Sequence, residues 1–277
     1  MSAYREQHHR SAARSRGNEN RSAHTSWDPL AHWYNGWVGE DGSEHHREVA
    51  IPALLLLLDP QPGEEILDVG AGQGVLAPYI AAAGARYTGV DASPRLLQIA
   101  RRRHIERARF VQGDAARLSR LPELREASFD AVVFLLSIQD MDPLEDVLAS
   151  AAWALKPGGR LCMLLTHPAF RVPRQSGWGW DDGRKLHYRR VDRYLTSLAV
   201  PMKAAPGNKR FVTRSFHRPL ERYVNGLGGA GMLIERMMEV PAHRVHSPPE
   251  RKDAVDRARR EIPLFLGLRA RKVPGIR

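Results

Sequence analysis

The apolar and polar positions divide the chain into a helical front, a long alternation of strand and helix patterns, and an irregular back third. Residues 44–58 follow a helical pattern, interrupted or restarted at Pro52 and ending in the apolar run 53–58. After the Pro62-Gly63 turn, residues 65–69 read as a strand, and 75–83 have the spacing and composition of a helix. Strand 85–90 closes at Asp91. A helix then opens at Ser93-Pro94, with Ser93 as N-cap and Pro94 in the first turn. Residues 110–112 predict a third strand. Residues 128–136 are almost continuously apolar, the pattern of a strand covered on both faces. A helix at 144–155, with Asp142 as its N-cap before Pro143, and a strand at 160–166 complete the regular part. Strands alternating with helices predict an α/β fold around a parallel sheet.

From 169 to 208 the alternation stops, and an insertion carries Trp178, Trp180, His187, Tyr188 and Tyr194 among glycines and arginines. Residues 209–218 add a strand, and 219–227 a short helix stopped by Gly228-Gly229. Segments 233–240 and 264–270 read as a closing antiparallel pair, with a polar, partly helical stretch between them. In front, residues 1–26 are polar, basic and without period, and are expected to be disordered.

The chemistry concentrates at Asp68-Val-Gly-Ala-Gly-Gln-Gly74. A strand, a Gly-rich turn and a helix N-terminus is how parallel α/β sheets receive nucleotide-like ligands. The dinucleotide fingerprint G-x-G-x-x-G is not met, because the third glycine comes one residue early. Asp68, two residues before Gly70, would repel a pyrophosphate and suits a ligand with a positively charged end.

These residues resemble the first motif of the class I S-adenosylmethionine-dependent methyltransferases. Gly89-Val-Asp-Ala-Ser93 resembles the second motif of that family, and Gly113-Asp-Ala115 the third. Phe129-Asp-Ala-Val-Val133 resembles the following strand, and Leu155-Lys-Pro-Gly-Gly159 the loop into the fifth strand. All stand in order across 62–167. The resemblance implies a Rossmann-like, doubly wound, seven-stranded, mostly parallel sheet with an antiparallel last strand and a lid or insertion. It divides the chain into a tail (1–26) and a domain (27–277) with an N-terminal helical cover (27–60) and an acceptor-side insertion (169–208).

The resemblance implies S-adenosylmethionine as cofactor. Gly70, Ala71, Gly72 and Gly74 would admit it to the backbone, and Asp68 would face its amino group directly or through water. Asp91 would accept from the ribose hydroxyls beside Ala92 and Ser93, and Leu96 would pack at the adenine. Asp114 would accept from the exocyclic amine, with Ala115 offering its amide, and Leu136 and Ser137 complete the set. Tyr34, His46 and Arg47 would lie near the methionine end, although Trp33 and Tyr34 equally suit a helix-to-sheet staple.

Loop 137–143 lies at the carboxyl edge of a central strand, which makes Gln139 and Asp140 candidates for acceptor contact or proton removal. His167, at the end of the next strand, is a candidate general base or a turn residue bonded to a backbone carbonyl. The implied activity is methyl transfer to a small-molecule acceptor by in-line displacement, with O-methylation favoured. An RNA methyltransferase and a non-catalytic binding protein of the same fold are the alternatives. Against the former, Ser137-Ile-Gln-Asp140 replaces the Asn/Asp-Pro-Pro-aromatic motif that holds a flipped base amine.

Composition changes this picture little. The chain has 277 residues, 43% of them hydrophobic, and a formal net charge of +11, with much of the basic excess near the two ends. That excess is read as a solvated basic surface rather than a nucleic-acid face. No apolar run approaches the ~18–20 residues of a membrane span, and no signal peptide is read at the front. Cys162 is the only cysteine, so neither an intrachain disulfide nor a cysteine-based zinc site is available. A cytoplasmic protein with no metal site is the expectation.

Overall fold

The computed structural model describes residues 27–40, 42–104, 106, 108–203, 212–242 and 249–275. The expected disordered tail, 1–26, lies outside the described residues. Seven strands form one sheet: β1 (Glu65–Val69), β2 (Arg86–Asp91), β3 (Ala108–Gln112), β4 (Phe129–Leu135), β5 (Leu155–Thr166), β10 (Met232–Val240) and β11 (Phe265–Lys272). Their order is β10-β11-β5-β4-β1-β2-β3. Strands β1 to β5 run parallel to one another, and β11 runs antiparallel to both β5 and β10. This is the expected doubly wound sheet.

Side chains alternate across a strand with period two, and here the alternation separates two cores. Leu67 and Val69 of β1 join Val132 and Phe134 of β4 on one face. Ile66 joins Ala131, Val133 and Leu135 on the other. Helices α5 (Leu144–Ala154) and α6 (Leu220–Gly229) cover the first face with Leu148, Ala151, Tyr223 and Leu227. Helices α2 (Ile51–Leu58), α3 (Ala77–Ala82) and α4 (Pro94–His104) cover the second with Leu54, Leu57, Ile80 and Leu97. With both faces covered, the continuous apolar run of β4 has its reason.

The front of the chain forms a short helix, α1 (Ala31–Val38), and then a π turn at His46–Ala50 leading into α2. The break expected at Pro52 takes the form of this wide turn just before it. Proline lacks an N–H, and local widening is one way a helix accommodates the loss.

The back third departs from expectation. Within the insertion β6 (Ser176–Asp181) and β7 (Leu186–Val191) form a separate hairpin, and β8 (Leu198–Lys203) pairs with β9 (Val212–His217) as a second ribbon. The strand expected at 209–218 is therefore part of the insertion and not of the main sheet; residues 209–211 lie outside the described residues. Helix α6 runs through Gly228 and Gly229, and Gly231, at φ 72°, follows its end. Helix α7 (Lys252–Glu261) packs against β7. Among the described residues, no helix is long and apolar enough to cross a membrane.

Candidate active site

The carboxyl ends of β1, β2, β4 and β5 open into a cavity of about 780 Å³. Gly70 and Gly72 line it. At Gly70, φ is 78° and an added Cβ would meet the Ser137 Cβ at 2.6 Å, so only glycine fits the turn. Ser137 Oγ in turn donates to the Val69 carbonyl at 2.7 Å, which ties the end of β4 to the end of β1. Leu136, also in the lining, takes φ 53°, a left-handed conformation uncommon for a bulky residue and a form of strain that tends to gather at functional sites.

Asp91 binds the glycine loop to the following helix: one carboxylate oxygen accepts from the Gly72 N–H and the other from the Ser93 N–H, each at 2.8 Å. Burial raises its pKa, and those backbone donors oppose the rise. Ala92, Leu96, Asp114 and Ala115 also line the cavity. Asp114 in addition caps the turn Ala115–Arg120, accepting from the Ala116 N–H at 3.0 Å.

Asp68 lies at 2% exposure and does not itself line the cavity. Its Oδ2 accepts from the Tyr87 hydroxyl at 2.7 Å, and Oδ1 has no hydrogen-bond partner among the described residues. Burial pushes this carboxyl up to about 7, with the Tyr87 bond opposing and the Asp91 charge adding to the shift. The charge reaches Tyr34, a cavity residue whose hydroxyl is driven up by burial and by Asp91, Asp140 and Asp68.

Gln139 and Asp140 occupy the turn Ile138–Asp140 and both line the cavity. Gln139 Nε2 donates to the Leu136 carbonyl, and its Oε1 is buried without a partner. Burial pushes Asp140 up to about 7, against hydrogen bonds from the Ser215 hydroxyl and the Trp27 indole. The N-terminal cover thus bonds directly to the turn. A second clasp is Asp28, whose Oδ1 accepts from Ser93 Oγ at 2.7 Å and from the Arg95 N–H at 3.1 Å. Asp28→Ala is expected to weaken S-adenosylhomocysteine binding about tenfold by loosening this cover, with little change in the thermal midpoint of the ligand-free protein. Calorimetry and a melt check it, and unchanged affinity would remove the cover from the binding site.

Five expected cofactor residues lie off the lining. Arg47 is exposed, with its guanidinium held by the Gly42 carbonyl; His45 and His46 line the cavity instead. Gly74 serves packing, since an added Cβ would meet the Phe110 ring at 2.8 Å and His104 at 3.0 Å. Ala71 and Ser93 are buried, with Ser93 capping α4 through the Leu96 N–H. Asp68 is the fifth.

His167, read as a general base or as a turn residue, stands as a turn residue bonded to backbone. Its Nδ1 accepts from the Ala169 N–H at 3.2 Å and its Nε2 meets Glu239 at 2.9 Å, outside the cavity lining. Nor does Asp142 cap α5. The helix starts from Pro143 without a side-chain cap, and Asp142 pairs with Arg218 at 2.8 Å.

The insertion's aromatics do not form the acceptor wall either. Trp178 stacks on His187 under Arg171 and Arg189, Trp180 lies under Arg251, and the Tyr194 hydroxyl accepts from the Leu220 N–H. The wall comes from Arg171, Pro173, Met202, Thr213, Ser215, Leu264 and Phe265, and across the mouth from Trp27, Trp33 and Trp37. Of these only Trp33 and the Trp27 segment had drawn attention in the sequence.

Comparison with known proteins agrees with this fold. A family model described as a methyltransferase domain matches residues 67–163. The chain is 41% identical over 168 residues to a demethylmenaquinone methyltransferase of Tropheryma whipplei, covering 59% of this chain and 63% of that protein. It is 33% identical over 141 residues to a ubiquinone biosynthesis O-methyltransferase of Xanthomonas campestris, covering 50% and 59%. The chain thus spans less than two thirds of the length of these relatives. A solved S-adenosylmethionine-dependent methyltransferase of Mesorhizobium loti superposes with a TM-score of 0.63 at 27% identity, over 79% of this chain and 96% of that one. The fold is that of the class I S-adenosylmethionine-dependent methyltransferases. The match over residues 67–163, these relatives and the solved structure support that family for the chain.

Proposed function

We propose that the protein methylates a small, largely apolar acceptor, at oxygen, with S-adenosylmethionine as the donor. The observation that carries the reading is one continuous cavity joining Gly70, Gly72 and Asp91 to Asp140, Thr213 and Ser215. The residues present fit the cofactor. Asp68 keeps a buried acceptor oxygen without a partner, a costly state unless a donor or cation completes it. The Asp91 carboxylate accepts from the Gly72, Ser93 and Ala92 backbone N–H groups and retains acceptor capacity for a ribose hydroxyl. Gly70 and Gly72 leave the backbone open to close approach.

Bound there, S-adenosylmethionine supplies an electrophilic methyl on a sulfonium. The chain's own task is to hold the acceptor and take its proton. Positioning can supply roughly 7–11 kcal/mol of barrier lowering. Asp140, poised near neutrality, accepts the hydroxyl proton of the acceptor as its oxygen becomes the nucleophile. The aromatic mouth formed by Trp27, Trp33 and Trp37 suits an apolar body, and acceptors of quinone type, as the relatives' names state for them, fall in this class.

The test is calorimetric titration of S-adenosylmethionine and S-adenosylhomocysteine into the wild type and Asp91→Ala. Micromolar binding is expected, lost by roughly 10²-fold in the variant because two charge-assisted hydrogen bonds go. A wild type that binds neither compound would sink the proposal.

A further inference from the structure

Arg171 is the single arginine or lysine among the described residues that line the cavity. Arg171 is half-buried, and the two fully buried guanidiniums among the described residues have acids: Arg160 meets Glu64 at 2.6 Å, and Arg218 meets Asp142 at 2.8 Å. Among the described residues no carboxylate lies within ion-pair reach of Arg171. Its Nε donates to the Pro263 carbonyl at 3.3 Å, and among the described residues its two terminal nitrogens have no hydrogen-bond partner. The group rests 5.2 Å over the Trp178 ring, which Arg189 also approaches, at 5.3 Å. Burial and the charges of Arg189 and Arg259 bring it down to about 10, so Arg171 stands in a positive neighbourhood.

The place of Arg171 in the fold gives this charge a use. It lines the cavity beside Thr166, at the end of β5, whereas Asp91 stands at the end of β2; β4 and β1 lie between them. Arg171 is therefore on the acceptor side. A small side chamber shares Arg171, Gln139, Thr166 and Ser215 with the main cavity. The rest of the cavity carries acids, among them Asp91, Asp114 and Asp140, which disfavour an anion elsewhere.

We infer that the acceptor carries an anionic group, a carboxylate, which Arg171 receives at this corner while the apolar body fills the space towards the tryptophans. The inference rests on the proposed methyltransferase reading and names its substrate class. A planar guanidinium with two free donor groups matches a carboxylate bidentately, and stacking on Trp178 holds it in place for that contact. The carboxylate also fixes which end of the acceptor points at Asp140.

The experiment uses the full chain saturated with S-adenosylhomocysteine, titrated with 4-hydroxyphenylacetate and, separately, with 4-hydroxyphenylacetamide. The acid is expected to bind the wild type about tenfold or more tighter than the amide. Arg171→Gln removes that preference, and Arg171→Lys keeps part of it, which a merely structural role of the side chain would not produce. Equal affinities in the wild type overturn the inference, as does a preference that survives in Arg171→Gln or an acid that does not bind. S-adenosylhomocysteine binding, read in the same instrument, reports separately on the proposed function. If it is absent, the acid and amide are compared on the ligand-free protein with the same criteria.

Discussion

Asp140→Asn is expected to lower the turnover of a phenolic acceptor by roughly 10²–10⁴-fold, the usual contribution of a general base. It should leave S-adenosylmethionine affinity close to that of the wild type. Burial holds the Asp140 carboxyl near 7, and the base acts only when ionised. Wild-type turnover should therefore rise about tenfold per pH unit below 7 and level off above it, whereas Asp140→Asn should show no such rise. The competing view is that Asp140 only fastens the cover, since it accepts from both Trp27 and Ser215. Asparagine still offers an oxygen to those donors, so on that view turnover and its pH profile would survive the substitution. Trp27→Phe separates the two further. Losing a donor to the carboxylate raises its pKa, so the midpoint of the wild-type profile should move above 7. A flat wild-type profile would remove Asp140 from proton transfer.

The parts of this architecture legible in the sequence are those with a local signature. The strand β4 announces itself by an unbroken apolar run, which two covered faces demand. Gly70 is marked because no other residue tolerates its turn against Ser137. Asp91 is marked by closing an apolar strand ahead of a helix cap. The acceptor side has no such signature. Trp178 and Trp180 look like pocket walls by type, yet arginines from Arg171, Arg189 and Arg251 cover them, contacts that depend on how a hairpin folds back. His167 looks like a base at a strand end until Glu239, 72 residues later, arrives beside its Nε2. The clasp of Asp28 on Ser93 likewise spans 65 residues. Period and turn chemistry carry no information on such distant pairings, and a two-stranded ribbon with one polar face can dock either way. Gly74 shows the converse: a motif residue whose place in the pattern is read correctly while its reason, clearance for Phe110, is tertiary.

Asp68→Asn is expected to stabilise the ligand-free protein above neutral pH and, at the same time, to weaken S-adenosylmethionine binding by roughly tenfold or more. The sign follows from the direction of its shift. The Asp68 carboxyl stands at about 7 in the folded chain, raised chiefly by burial, against an ordinary value of 3.8. The folded state thus binds a proton that the unfolded state has already lost at intermediate pH. Stability from this group is complete below the ordinary value and is lost as pH rises through about 7. The loss is on the order of a few kcal/mol, at about 1.4 kcal/mol per unit of displacement. Asparagine keeps an acceptor for the Tyr87 hydroxyl and never ionises, so its melting midpoint should exceed that of the wild type at pH 8 and approach it at pH 4. Cofactor binding reverses the balance for the wild type alone. A positively charged amino group near the unpartnered Oδ1 stabilises the ionised acid, so wild-type affinity should fall as pH drops below 7 while that of the variant should not. Melting curves from pH 4 to 8, with and without S-adenosylmethionine, test both halves. A variant that gains no stability at pH 8 would mean that the buried charge is already compensated within the protein. Undiminished binding would place the cation of the cofactor away from Asp68. Both effects together would show that this carboxylate is kept at a cost to the empty fold because the bound state requires it.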